Sequence, residues 1–77
     1  MKDYSKRYPI RLLSERISII TTNIQNAQSY DIFIDYRNGV VRFAKYVGDI
    51  LPRMTSVRMN AINNMSYNEL VDFGKQL

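Results

Sequence analysis

This chain of 77 residues contains no cysteine and no histidine, so its fold must hold without a disulfide or an imidazole-bound metal. Domains this small bury only roughly 60% of the surface their unfolded chains expose. They commonly supplement one small core with a disulfide, a structural metal or a partner subunit. Here the first is excluded, and a zinc site would have to be built from carboxylates alone. A single core remains, helped by association with another chain. The same absences bear on function. Histidine and cysteine supply most proton shuttles, activated nucleophiles and zinc ligands near neutral pH. A chain lacking both is expected to act by binding, with no cofactor, no metal and no small-molecule substrate.

The balance of 45% hydrophobic and 23% charged residues is that of a globular domain. The N-terminus is basic, but no continuous apolar segment follows it, and Ile17-Ser18-Ile19-Ile20 breaks at once into Thr21-Thr22-Asn23. No secretory leader and no bilayer-spanning segment are expected, so the cytoplasm of a cell or an infected host is the expected compartment. The formal net charge of +4 is unevenly placed. Lys2, Lys6, Arg7, Arg11 and Arg16 crowd the first segment, and Arg37, Arg42, Lys45, Arg53 and Arg58 form a second group. Such polarity suits nucleic acid, an anionic membrane or an acidic protein face.

Residues 1–8 read as a flexible basic arm and residues 9–77 as a single compact domain. Pro9 suits a helix start, and Ile10, Leu13, Ile17, Ile20, Ile24 and Ala27 recur at spacings of three and four. That stripe predicts a helix over about Pro9 to Gln28. Asn38-Gly39 then stands between two β-rich runs, the sequence signal of a type I′ hairpin. A two-residue turn would set Tyr36 opposite Val41, Ile34 opposite Phe43 and Asp35 opposite Arg42. One face would collect Ile32, Ile34, Tyr36, Val41 and Phe43, and the other Asp31, Asp35, Arg37 and Arg42. A helix from about Pro52 to Asn64 should follow. Ser66-Tyr67-Asn68-Glu69 has the form of a capping box opening a last helix over Tyr67 to Gln76. The expected fold is α+β: a long N-terminal helix, a β-hairpin and two short C-terminal helices. The alternative is an all-α bundle, because Val40, Phe43, Ala44, Val47, Ile50, Leu51 and Met54 also share one helical face.

Catalytic motifs fail on inspection. The only glycines, Gly39, Gly48 and Gly74, lie too far apart to write a dinucleotide fingerprint, and Gly74-Lys75 lacks the upstream glycine and following hydroxyl of a P-loop. No serine stands three residues before a lysine. The carboxylate pairs Asp31/Asp35 and Glu69/Asp72 read as a solvated strand face and a helix start, and a carboxylate-dependent metal enzyme is the weakest of the readings weighed. Surplus apolar residues are more informative. Leu12 and Ile19 lie off the main helical stripe, while Met54, Val57, Met59, Ile62 and Met65 demand more cover than one small core provides. They are the expected protein-binding residues. The chain reads as a non-enzymatic binding protein acting on a protein partner or as a homodimer, a regulator or inhibitor of the size phages and plasmids encode. The alternative is a small nucleic-acid-binding protein that places Lys2, Lys6, Arg7, Arg11, Arg42, Lys45, Arg53 and Arg58 on phosphates.

Overall fold

The computed structural model describes residues 3–48 and 51–77. In chain order the elements are α1 (Ile10–Thr22), β1 (Ser29–Asp35), β2 (Val40–Tyr46), β3 (Arg53–Arg58), α2 (Met59–Asn64) and α3 (Tyr67–Gln76). The strands form an antiparallel sheet in the order β1-β2-β3. The architecture is therefore α+β, with helices on one face of the sheet and the other face open. The all-α alternative is excluded.

Helix α1 buries Leu13, Ile17 and Ile20, the middle of the expected stripe. It ends at Thr22 and does not reach Gln28. Local chemistry explains the stop: Thr21 and Thr22 turn their hydroxyls back to donate to the Ser18 carbonyl, and the Asn23 amide donates to the Ile19 carbonyl. Side chains that bond the preceding turn compete with helix propagation. Asn26 then takes a positive φ of 58°, which turns the chain toward β1.

The hairpin forms, but two residues out of the expected register. Asp35 pairs with Val40, Ile34 with Val41, Phe33 with Arg42 and Ile32 with Phe43. A type I′ turn needs two residues at positive φ, and here only Gly39 has one, at 65°. The Asp35 carboxylate decides the matter. It accepts from the Asn38 backbone N–H at 3.2 Å and from the Asn38 amide at 2.8 Å, so the turn spans Tyr36 to Gly39. Tyr36 thus sits in the turn, its hydroxyl buried without a hydrogen-bond partner among the described residues. Because side chains alternate with period two, a two-residue slip keeps every residue on its own face. Ile32, Ile34, Val41 and Phe43 still share the inner face. Asp35 and Arg42 lie diagonally and still meet, at 3.6 Å.

The expected helix over Pro52 to Asn64 is corrected: residues 53–58 are a third strand, and only Met59–Asn64 is helical. Thr55 and Val57 are half-buried on the inner face, while Met54, Ser56 and Arg58 are exposed on the outer one. That is strand alternation, and β-branched residues at the inward positions favour it. The core gathers Tyr8, Leu13, Ile17, Ile20, Val41, Phe43, Met59, Ile62 and Leu70. Phe43 meets Phe73 edge-on with ring centroids 5.9 Å apart. Arg16 clamps the helical layer, donating to the carbonyls of Ile62 at 3.1 Å and Met65 at 2.7 Å.

Residues 3–8 lie against the domain. The Tyr4 N–H donates to the Tyr36 carbonyl at 3.0 Å, and Tyr8 is buried. Helix α3 opens as the sequence indicates. The Glu69 N–H donates to the Ser66 hydroxyl at 3.2 Å, and the Ser66 N–H donates to the Glu69 carboxylate at 3.0 Å. Those bonds hold the Glu69 carboxyl below its ordinary pKa. A depressed carboxylate adds stability at neutral pH and loses it as pH falls through the folded-state value. Ser66→Ala should cost about 1 kcal/mol of stability. It should also return the Glu69 titration, followed by NMR, toward the ordinary glutamate value.

Candidate interaction surface

The two edges of this sheet are built differently. β3 begins after Pro52 and carries Arg53 and Arg58 at its ends. Proline and long cations are the devices by which edge strands discourage pairing with another chain. β1 has neither. Its seven residues, Ser-Tyr-Asp-Ile-Phe-Ile-Asp, include no lysine, arginine, proline or glycine. Apart from Ile32, which packs against the rim of the core, its apolar side chains are open: Tyr30 is 45% exposed, Phe33 49% and Ile34 37%. Phe33 projects from the outer face, Tyr30 and Ile34 from the inner face beyond the reach of the helices. Among the described residues, β1 therefore offers apolar side chains on both faces and a backbone edge with no strand beside it.

Its two carboxylates are already engaged within the chain. Asp31 accepts from the Tyr46 hydroxyl at 2.9 Å, a bond that raises the tyrosine's pKa. Asp35 is held below its ordinary pKa first by the Asn38 amide and backbone, then by nearby Arg42. Asp31 stays exposed while bonded to Tyr46, so β1 presents its apolar side chains beside a carboxylate.

Of the residues expected to bind a protein, Met59 and Ile62 are completely buried in this chain's own core. A partner cannot reach them. Ile19, Val57 and Met65 are half-buried against the same core, so their apolar surface is consumed internally. Leu12 on α1 and Met54 on the outer sheet face stay exposed, but they lie on opposite layers. Tyr30, Phe33 and Ile34 stay open as well, as do Ile10, Val47, Leu51 and Tyr67 elsewhere in the chain; the sequence pattern groups Ile34 with the inner-face residues and singles out neither Tyr30 nor Phe33.

The cations expected on nucleic acid also separate. Lys2 lies outside the described residues. Arg42 pairs with Asp35, and Lys45 donates to the Leu77 carbonyl at 2.7 Å. Lys45 and Arg53 sit opposite each other at one end of the sheet, while Arg58 is at the other. Lys6 and Arg11 are exposed and do not border the cleft that Arg7 and Arg58 share. Arg7 and Arg58 do converge. They border a cleft of about 270 Å³ with Asn38, Asn60 and the Tyr4 and Tyr8 side chains, and among the described residues no carboxylate lines it. The two tyrosine rings stack with centroids 6.2 Å apart, and the Tyr8 hydroxyl donates to Asn60.

Among the described residues no cluster of three or more His, Cys, Asp or Glu side chains is placed to hold a metal ion. No helix of the described residues is long and apolar enough to cross a membrane. Comparison with protein-family models, curated proteins and solved structures finds no match to this chain.

Proposed function

We propose that this chain is a non-enzymatic binding protein that works by protein–protein contact, pairing the free edge of β1 with another polypeptide. One observation carries the reading: β1 is a seven-residue edge strand with apolar side chains open on both faces and no gatekeeping lysine, arginine or proline. Strand addition to such an edge draws affinity from backbone hydrogen bonds and specificity from alternate side chains. This is the mode of a regulator or inhibitor that occupies a partner's surface. The test is a Tyr30→Lys/Phe33→Lys double variant, immobilised beside the native chain and exposed to extract from its native host at moderate salt. Both positions are about half-exposed, so the melting temperature should barely move. Polypeptides held by the native chain should be lost by the variant at least tenfold. An identical retained set would refute the reading.

A second reading, contact with a nucleic-acid backbone, has one observation in its favour: Arg7 and Arg58 meet on a cleft free of carboxylates. Two phosphate contacts on a single strand predict that log K falls with log salt at a slope of about −1.4, twice the roughly −0.7 per contact. Replacing Arg7 with glutamine should halve that slope for a labelled single-stranded oligonucleotide. Absence of binding at low salt removes this reading.

A further inference from the structure

We infer that the cleft between residues 3–8 and the hairpin turn is a binding site for a single doubly charged phosphate group, free or carried by a small phosphomonoester. The site is separate from the β1 edge and does not depend on the protein-binding reading. Its charge identifies the ligand. Arg7 comes from the N-terminal arm and Arg58 from the junction of β3 and α2, and neither has a carboxylate partner among the described residues. Two guanidinium groups without an acid are neutralised by a dianion. A phosphomonoester carries about −1.5 to −2 charges near neutral pH and three strong acceptor oxygens. A backbone diester offers one charge and two free oxygens. The third oxygen of the monoester has a donor as well. The Asn60 side-chain oxygen accepts from the Tyr8 hydroxyl at 3.2 Å and from the Asn64 amide at 3.3 Å. Those bonds fix which way the Asn60 amide faces, and its Nδ2 has no acceptor among the described residues.

The cleft is built before any ligand arrives. The Tyr4 carbonyl accepts from the Arg7 and Tyr8 N–H groups at 3.1 and 2.9 Å, winding residues 4–8 into a turn that sets Arg7 at the border. Across from it, the Met59 N–H donates to the Gly39 carbonyl at 2.8 Å and holds Arg58 and Asn60 beside the hairpin turn. Gly39 lets the two walls meet, because a Cβ there would lie 3.1 Å from the Tyr4 ring. Walls held by the chain's own bonds need no ordering on binding, which favours a ligand with few contacts. At about 270 Å³ the cleft falls just below the roughly 300–1,000 Å³ of drug-sized pockets, so what it encloses is small. Lys6 and Arg11, the cations nearest Arg7 in sequence, do not border it and do not extend it into a track for successive phosphates.

Two charge-assisted contacts support a dissociation constant on the order of 1 mM. Inorganic phosphate titrated into the isotope-labelled native chain at constant ionic strength should shift the Arg7, Arg58 and Asn60 amide signals and saturate near that value. At ten times that concentration the melting temperature should rise by roughly 6–11 °C. It should not rise in Arg7→Gln, which separates occupancy from the general stabilising effect of phosphate as a salt. Arg7→Gln and Arg58→Gln should each weaken binding at least tenfold. Both side chains are exposed, so neither change threatens the fold. Arg11→Gln, outside the cleft, should leave binding as it is. Dimethyl phosphate, a monoanionic diester, should bind at least tenfold more weakly than phosphate. A nucleoside monophosphate distinguishes the sources. Tighter binding than inorganic phosphate assigns the site to an ester whose organic part also touches the cleft, and binding no tighter assigns it to the free ion. The inference is overturned by the lack of a saturable shift at tens of millimolar phosphate, by equal binding of the diester, or by both glutamine variants matching the native chain. A single-stranded oligonucleotide held equally with and without a terminal phosphate also overturns it, in favour of the backbone reading.

Discussion

Replacing Gly74 with alanine is expected to lower the melting temperature by roughly 12–24 °C, the opposite of what helix propensity predicts. In an exposed helix interior the same change stabilises by about 1 kcal/mol, because alanine loses less backbone freedom on folding. Gly74 is buried where α3 crosses the end of α1. A Cβ there would lie 2.8 Å from the Asn23 Cβ and closer still to the Ile20 carbonyl oxygen. Neither neighbour can swing aside. The Ile20 carbonyl accepts the Asn23 N–H at 3.1 Å, and the Asn23 amide is tied to Ile19 at 2.7 Å. The helices must separate, which loosens Leu70 and Phe73 against Ile17 and Ile20. Overpacking of this kind costs about 3 kcal/mol, and each kcal/mol moves the midpoint of so small a domain by about 4–8 °C. Total stability for 77 residues is on the order of 4–12 kcal/mol, so the loss is a large fraction of it. Thermal unfolding followed by circular dichroism decides the matter. A raised midpoint would show that α1 and α3 do not approach each other at Gly74.

How far the sequence could be read depended on whether local signals outweighed tertiary ones. The capping box at Ser66 and Glu69 is a local device, and α3 spans the residues it predicted. The hairpin was legible as a hairpin and its faces were right, because Ile32, Ile34, Val41 and Phe43 alternate whatever the register. Its turn was not, since Asp35 bonding Asn38 competes with the Asn-Gly preference. β3 was missed for a different reason. Met54, Val57 and Met65 look continuous with the helical spacing of Met59 and Ile62, and only Thr55 and Val57 signal a strand. The interaction surface was least legible of all. That Tyr30, Phe33 and Ile34 remain open follows from where three helices settle, which no local pattern records.

The two methionines nearest that misreading should behave in opposite ways. Met59 opens α2 and is completely buried, whereas Met54, five residues earlier, is 51% exposed on the outer sheet face. Met59→Ala removes a side chain from the middle of the core beside Val41 and Ile62, and the cost should be about 2–5 kcal/mol, transfer and cavity together. The Met59 N–H also donates to the Gly39 carbonyl at 2.8 Å, pinning α2 to the hairpin turn, so the site has little freedom to collapse around the void. Met54→Ala should fall within about 0.5 kcal/mol of the native chain. Aspartate widens the contrast: at position 54 it stays in water, while at position 59 it puts an unpaired carboxylate into the core and the domain should not fold. Urea titrations of the alanine pair, read as midpoints at constant slope, separate the cases. A Met59→Ala midpoint equal to that of Met54→Ala would mean that α2 does not close the core. Met59 would then be a surface residue after all, open to the partner contact that helical spacing suggests.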